Sequence, residues 1–208
     1  MLGSFWDFSA PFYDLAQKAN GRAFGDMLKV LTSLVPDGAT VLEVAAGTGE
    51  ISLAISNSAS EILCTDISHK MLAVARKKAS KQSVQNIIFD NINIFDTGKT
   101  EGAYDVVIAS QVLHLIDNPE NAAAELRRVA KDMVILPLSL TKDLQGMAKA
   151  KIGLYRLFGF APKVEFDVSG YKEFVRSIGF DDCDFIQVAG KIPMTVAVWH
   201  KKHENIQA

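Results

Sequence analysis

The 208-residue sequence predicts one α/β domain with a doubly wound, mostly parallel, seven-stranded sheet and helices on both of its faces. Two observations lead to this fold class. Short apolar runs alternate along the chain with longer stretches in which apolar residues recur at helical spacing. Such runs are typical of parallel strands buried on both faces, and right-handed crossovers place the helices on alternate sides of the sheet.

The predicted elements follow one another without a repeat or a linker. Residues 5–35 predict a helical region, which ends at the turn formed by residues 36–38. The first five strands are expected at 40–44, 61–65, 86–89, 104–110 and 133–136. The helices between them are expected at 50–57, 69–81 and 118–131, and Ser68 is a plausible N-cap of the second. After an irregular segment at 138–162, a helix at 169–178 and strands at 184–188 and 194–199 complete a Rossmann-like sheet.

The composition argues against several classes of protein. The net charge is -2 and the pI is about 6.1, whereas a dedicated nucleic-acid binder usually has a basic face. Cys64 and Cys183 form neither a disulfide framework nor a metal-ligand spacing, and buried free thiols fit a reducing compartment. The first ten residues lack the features of a signal peptide, and no run of ~18 apolar residues is present. We therefore expect a cytoplasmic protein without stable membrane insertion.

A loop of small residues follows the first predicted strand. Residues 45–49 read Ala-Ala-Gly-Thr-Gly. In an open parallel sheet, ligands bind beyond the carboxyl ends of the strands, where the strand order reverses. Gly47 and Gly49 lack the Cβ atoms that would block a ligand, and they permit positive φ. The helix that follows offers free backbone N–H groups, so this loop is the candidate ligand site.

Neither this loop nor residues 98–100 match a known phosphate-binding motif. The segment Gly98-Lys99-Thr100 would need a glycine at the position of Asn93 to form a phosphate-binding loop. A dinucleotide fingerprint would need a third Gly or Ala where Ser52 stands. Glu43, inside the first strand, would repel a pyrophosphate but could hold a cationic ligand, directly or through water.

The segment 41–49 resembles the first motif of class I S-adenosylmethionine-dependent methyltransferases, an acidic residue followed by Gly-x-Gly-x-Gly, with Ala45 in place of the first Gly. Residues 104–119 resemble the small-molecule branch of this family, which includes ubiquinone and menaquinone biosynthesis-type methyltransferases. Residues 127–130 match the helix before its fifth strand, although Lys131 and Asp132 replace the usual Gly-Gly. The resemblance covers residues 8–137 and implies one methyltransferase domain over 1–208, with residues 1–35 as an N-terminal helical cover.

The resemblance implies that S-adenosyl-L-methionine is the cofactor and S-adenosyl-L-homocysteine the product. Asp66 corresponds to the acid that accepts from the ribose hydroxyls; the alternative is an acid that caps the next helix. Met71 corresponds to an adenine contact or to a core residue. Asn93, with Asp90 as its rival, corresponds to the acceptor of the adenine amino group. Tyr13 corresponds to a cover over the cofactor or to a core aromatic. The full set of implied cofactor residues is Tyr13, Glu43, Ala45, Gly47, Gly49, Asp66, Ile67, Met71, Asn91, Ile92, Asn93 and Ser110.

His114 is the candidate catalytic base if the acceptor must lose a proton, and a structural or pocket-lining histidine is the alternative. Residues 138–162 stand where this family inserts its acceptor cover, and their apolar and aromatic content predicts a hydrophobic or aromatic small acceptor. The segment is equally compatible with a packing helix or a dimer contact, and less readily with membrane contact through Leu154, Leu157 and Phe158.

The residues at 110–113, Ser-Gln-Val-Leu, differ from the Pro-Pro-Tyr-like cluster of nucleic-acid amino-methyltransferases, so no nucleic-acid substrate is expected. Two further alternatives remain open. One is a protein that binds S-adenosylmethionine or S-adenosylhomocysteine without catalysis, and the other is a nucleotide-dependent oxidoreductase. The acceptor, the methylated atom and the oligomeric state are not indicated by the sequence.

Overall fold

A computed structural model describes residues 6, 7, 9, 10, 22–146, 149, 153 and 162–202. The strands are β1 Thr40–Val44, β2 Glu61–Thr65, β3 Ile87–Asp90, β4 Tyr104–Ala109, β5 Ala130–Ser139, β6 Asp184–Val188 and β7 Met194–His200. The helices are α1 Arg22–Leu34, α2 Glu50–Ile55, α3 His69–Lys81, α4 Pro119–Val129 and α5 Val168–Ser177. The strands form one seven-stranded sheet in the order β3-β2-β1-β4-β5-β7-β6. Strands β1 to β5 are parallel and β7 is antiparallel to both of its neighbours, so the predicted fold class is confirmed.

The sheet is buried on both faces because its strands carry apolar residues at consecutive positions. Leu42 of β1 is paired with Leu63 and Val107, and all three pack on the face covered by α4 and α5. The adjacent positions, such as Val41 and Val106, pack on the other face against α1, α2 and α3. The sheet is therefore buried between two layers of helices, as the apolar runs in the sequence predict.

Strand β5 is longer than the sequence predicts. It begins at Ala130, directly after α4, and continues through Pro137 to Ser139, so the expected strand end at Pro137 was wrong. The last residue of β5 paired with β4 is Ile135, and beyond it, among the described residues, β5 pairs with β7 alone. Proline is tolerated at such an edge-like position. The start of the predicted 5–35 region lies outside the described residues, and the other boundaries agree with the predictions within two residues, the usual uncertainty at element ends.

The strand order reverses between β1 and β4, which lie side by side in the middle of the sheet. The loops after β1, β2 and β4 therefore emerge at the carboxyl edge around this switch point. Ligands bind at this location in open α/β sheets. We call the loops at 45–49, 66–68 and 110–117 the ligand edge.

Parts of the two predicted covers fall outside the described residues. Of the N-terminal cover, residues 6, 7, 9 and 10 are helical and α1 follows, while Tyr13 lies outside the described part. Of the 138–162 segment, residues 138–146, 149, 153 and 162 are described, so Leu154, Leu157 and Phe158 also lie outside it. Within the described ranges, none of the helices combines the length and the apolar character that a membrane crossing requires.

Candidate active site

The loop between β1 and α2 contains three residues in the left-handed region. Ala45, Gly47 and Gly49 have φ values of 51°, 56° and 72°. A Cβ on Gly49 would lie 2.9 Å from the Cβ of Ala75 in α3, so this glycine is needed both for its backbone conformation and for close helix packing. Ala45 adopts the same region with a Cβ, at a cost on the order of 1 kcal/mol. The positive φ at this position explains why the methyltransferases that the loop resembles usually have glycine there.

Glu43 ties the end of β1 to the first turn of α2. Its side chain is 1% exposed, and its Oε2 accepts from the backbone N–H of Ser52 at 2.9 Å and from the Ser52 hydroxyl. Burial raises the pKa of Glu43 to about 7, against the opposing effect of the two Ser52 bonds. Ser52 was not among the predicted site residues. Its only sequence signal was that it stands where a dinucleotide loop would need a third small residue.

Asp66 lies beside the glycine loop, as the sequence predicts. Its Oδ2 accepts from the N–H of Gly47 at 2.8 Å, and its Oδ1 accepts from the N–H of Ser68 at 2.8 Å. Burial raises the pKa of Asp66, while these two bonds lower it. The N-cap of α3 is Ser68, whose Oγ accepts from Met71 N–H at 3.1 Å. Asp66 therefore links two loops of the ligand edge and is not itself the helix cap.

The neighbours of Asp66 divide between surface and core. Ile67 is 48% exposed beside the carboxylate, where an incoming ligand can contact it. Met71 is 1% exposed and packed in the core, which agrees with the core alternative for this residue. Ser110 is half-buried directly after β4.

The asparagines after β3 have different environments. Asn91 donates from Nδ2 to the backbone C=O of Asp66 at 2.7 Å, which places it at the ligand edge. Ile92 is half-buried against the core on the α4 and α5 face. The Oδ1 of Asn93 accepts from Phe95 N–H at 3.1 Å, and the Oδ1 of Asp90 accepts from Asn91 N–H at 2.8 Å. Both candidate adenine acceptors therefore already accept from a nearby backbone N–H.

Gln111 joins the loop after β4 to the end of β5. It adopts φ 57°, and its N–H donates to the C=O of Pro137 at 3.0 Å. Its amide group both donates to Ser139 Oγ at 3.0 Å and accepts from Ser139 N–H at 3.1 Å. The sequence analysis did not predict the contact between Gln111 and Ser139. The feature that could have indicated it is that both are polar residues at the ends of neighbouring parallel strands.

His114 lies in the same loop and is 9% exposed. In the part of the chain that the structure describes, its Nδ1 is buried without a hydrogen-bond partner. Burial lowers the pKa of His114 to about 4, so the imidazole is neutral at pH 7. A neutral imidazole with a free nitrogen can bind and orient a polar group of a ligand, and it is a weak acceptor of a full proton.

The two ends of the 138–162 segment are joined to each other. The N–H groups of Thr141 and Lys142 donate to the C=O of Phe166 at 3.1 and 3.2 Å, and Lys142 pairs with Asp167 at 2.7 Å. The N–H of Lys163 donates to the C=O of His114 at 3.0 Å. The described ends of the segment therefore lie at the ligand edge, beside the His114 loop.

The two cysteines are free, as predicted. Cys64 is buried, whereas Cys183 is only half-buried because it precedes β6 in a surface turn. Burial raises the pKa of both thiols, that of Cys183 to about 12. Among the described residues, no three His, Cys, Asp or Glu side chains come together in a way that would hold a metal ion.

Comparison with known proteins identifies the domain that forms this edge. Residues 41–133 match the model of a family described as a methyltransferase domain. The matched range begins in β1, contains Glu43, the glycine loop, Asp66 and His114, and ends in β5. Residues 41–133 therefore form a methyltransferase domain. The resemblance found in the sequence is thereby confirmed for this methyltransferase domain.

Two curated relatives are similar to much of this chain. The chain is 31% identical over 175 residues to the highly reducing polyketide synthase pks5 of Leptosphaeria maculans, covering 71% of this chain and 7% of the relative. It is 28% identical over 171 residues to the ubiquinone/menaquinone biosynthesis C-methyltransferase UbiE of Ralstonia nicotianae, covering 73% of this chain and 65% of the relative. The chain thus spans less than two thirds of the length of either relative.

A solved structure shares the fold over nearly the whole chain. The [4+2]-cyclase SpnF superposes with a TM-score of 0.74, covers 96% of this chain and 94% of its own, and is 15% identical. At this identity, the likeness describes the architecture of the methyltransferase domain and not its chemistry.

Proposed function

We propose that this chain binds S-adenosyl-L-methionine at the ligand edge and transfers its methyl group to a small hydrophobic or aromatic acceptor. The observation that carries the proposal is the pair of buried carboxylates, Glu43 and Asp66, on either side of the glycine loop. The charge of Asp66 is close enough to raise the pKa of Glu43. Such a lining repels a pyrophosphate and favours a phosphate-free ligand with a sulfonium and an ammonium group.

Asp66 has the free capacity to hold a ribose. Its oxygens accept from the N–H groups of Gly47 and Ser68, the N–H of Ile67 adds a weaker contact, and a carboxylate has about four lone-pair sites. Capacity therefore remains for a ribose hydroxyl. The backbone bonds from Gly47 and Ser68 fix the carboxylate, so little side-chain entropy would be lost on binding.

The protein's part in methyl transfer is alignment and the exclusion of water. The bound cofactor supplies a methyl group already activated by its sulfonium. Holding the reactants in line can contribute roughly 7–11 kcal/mol to lowering the barrier. His114 would orient the acceptor through its free Nδ1. Buried Leu113 and Leu115 flank it and suit an apolar acceptor.

The proposal extends to the two covers and to the setting of the reaction. Residues 1–35 would cover the cofactor, and residues 138–162 would cover the acceptor, since both described ends of the second segment lie at the ligand edge. The free thiols and the acidic pI support work on small molecules in a reducing cytoplasm.

Calorimetry with S-adenosylhomocysteine tests the cofactor half of the proposal. Replacing Asp66 by Ala should weaken binding by about 1–3 kcal/mol, because a charge-assisted hydrogen bond to the ribose is lost. The matched control is Asp182→Ala, which removes an exposed carboxylate that pairs with Lys202 far from the ligand edge. Equal affinities of the wild type and Asp66→Ala would exclude Asp66 as the ribose acid. Binding of NAD(H) in place of S-adenosylhomocysteine would favour the oxidoreductase.

A screen of small phenols, quinones, thiols and amines tests the transfer half. The signal is the release of S-adenosylhomocysteine from S-adenosylmethionine, and turnover is expected with an apolar or aromatic acceptor. Tight cofactor binding without turnover of any of these classes would favour the non-catalytic binding protein.

A further inference from the structure

The carboxylate of Asp7 docks on the N-terminus of α3. Its Oδ1 accepts from Ser68 Oγ at 2.5 Å, and the carboxylate also accepts from the backbone N–H of Lys70. The hydrogen bond from Ser68 is the largest cause of the lowered pKa of Asp7. A carboxylate is stabilised at a helix N-terminus because the first N–H groups there are free.

Ser68 connects this contact to the candidate ribose acid. The side chain of Ser68 donates to Asp7, while its backbone N–H donates to Asp66 Oδ1 at 2.8 Å. The other oxygen of Asp66 accepts from the N–H of Gly47 at 2.8 Å. A continuous series of hydrogen bonds therefore runs from the glycine loop through Asp66 and Ser68 to Asp7. Ser68 is 1% exposed, so solvent does not compete for its hydroxyl.

The contact brings a distant part of the chain to the ligand edge. Asp7 and Ser68 are 61 residues apart in the sequence. Ala10, one helical turn from Asp7, is 2% exposed, and Trp6 is half-buried. The contact to Ser68 therefore brings Asp7 close enough to Asp66 for the charge of Asp7 to raise the pKa of the Asp66 carboxyl.

We propose that Asp7 is a positioning residue for the cofactor, which holds the N-terminal residues 6, 7, 9 and 10 over the ribose side of the ligand edge through Ser68. This inference rests on the proposed function, since it takes Asp66 as the ribose acid. A docked segment keeps water away from the Asp66 carboxylate and strengthens its bonds to a ribose. By thermodynamic linkage, a bound cofactor must in turn favour the docked state of the segment.

Trp6 offers a direct measure of docking. The chain has two tryptophans, and Trp199→Phe leaves Trp6 as the single indole. In this background, quenching of Trp6 fluorescence by acrylamide is measured with and without saturating S-adenosylhomocysteine. The ligand should reduce the quenching in the Asp7 protein and leave it unchanged in Asp7→Ala. Unchanged quenching in the Asp7 protein at saturating ligand would overturn the proposal.

Calorimetry gives the second readout. Asp7→Ala should bind S-adenosylhomocysteine about fivefold more weakly, the ratio that corresponds to the loss of one helix cap. Asp7→Asn keeps an oxygen that can accept from Ser68 and Lys70, and should restore most of the affinity. The control Asp182→Ala removes an exposed carboxylate that pairs with Lys202 outside both proposed covers, and it should bind as the wild type does. Wild-type affinity in Asp7→Ala would refute the positioning role.

The same measurements separate this proposal from the proposed function. If the wild type binds no S-adenosylhomocysteine, the proposed function fails. The docking contact is then judged without ligand: stronger quenching of Trp6 in Asp7→Ala supports it, and equal quenching in both proteins refutes it.

Discussion

Lowering the pH from 7.5 to 5 should change the stability contributions of His114 and Glu43 in opposite directions. For His114, the pKa is about 4 in the folded protein and 6.5 in the unfolded chain. Between these values the unfolded state binds more protons, so the free energy of unfolding falls as the pH falls. The full effect is about 3 kcal/mol, of which about 2 kcal/mol is reached at pH 5.

Glu43 compensates for this loss in the wild type. Its pKa is about 7 in the folded protein and 4.5 in the unfolded chain. Here the folded state binds more protons between the two values, so the free energy of unfolding rises as the pH falls. The gain from pH 7.5 to pH 5 is also about 2 kcal/mol. The contributions of these two buried groups should therefore nearly cancel.

Urea denaturation of single variants reveals the two effects. Between pH 7.5 and 5, the free energy of unfolding of His114→Gln should rise by about 2 kcal/mol relative to the wild type, because only the Glu43 effect remains. That of Glu43→Gln should fall by about 2 kcal/mol. The double variant serves as the control and should follow the wild type. If both single variants show the pH dependence of the wild type, the reasoning from burial is refuted. An NMR titration that places the His114 pKa near 6.5 would refute it for that residue.

Two further substitutions test packing around the site. Gly49→Ala should lower the free energy of unfolding by about 2 kcal/mol, because of the positive φ and the contact with Ala75. The control Gly38→Ala has positive φ but open space around the new Cβ, and it should lower the free energy of unfolding by about 1 kcal/mol. Equal losses in the two variants would show that α3 can move away from the new Cβ at no cost. Thr195→Val should raise the melting temperature and add about 1 kcal/mol, because its buried Oγ1 has no partner among the described residues. Thr65→Val, which loses a 2.9 Å bond to the Glu43 C=O, should do the reverse, and a destabilised Thr195→Val would contradict this account.

Local sequence signals were sufficient for the parts of the fold that local physics determines. Strand β2 and helix α3 have the predicted bounds, because an apolar run ends at Thr65 and Ser68 then caps the helix. Strand β5 was predicted too short, because the expectation that proline ends a strand holds only where the strand has neighbours on both sides. Whether Pro137 has strand neighbours on both sides depends on the length of β4, which the residues around Pro137 do not encode.

The site was predictable in position but not in its contacts. Glu43, Gly47 and Asp66 meet at one edge because they end or follow adjacent parallel strands, and this follows from the topology. Their hydrogen-bond partners are different in kind. Ser52 lies on the helix after the loop, and Asp7 lies 61 residues from Ser68, so spacing along the chain carries no signal for either contact.

The most direct test of the account is a crystal structure of the protein with S-adenosylhomocysteine. The ligand should lie at the carboxyl ends of β1 and β2, with a ribose hydroxyl about 2.7 Å from an Asp66 oxygen. The compound elsewhere would contradict it. One such place is the open cavity of about 570 Å³ lined by Arg127, Trp199 and Lys201 at the opposite edge of the sheet.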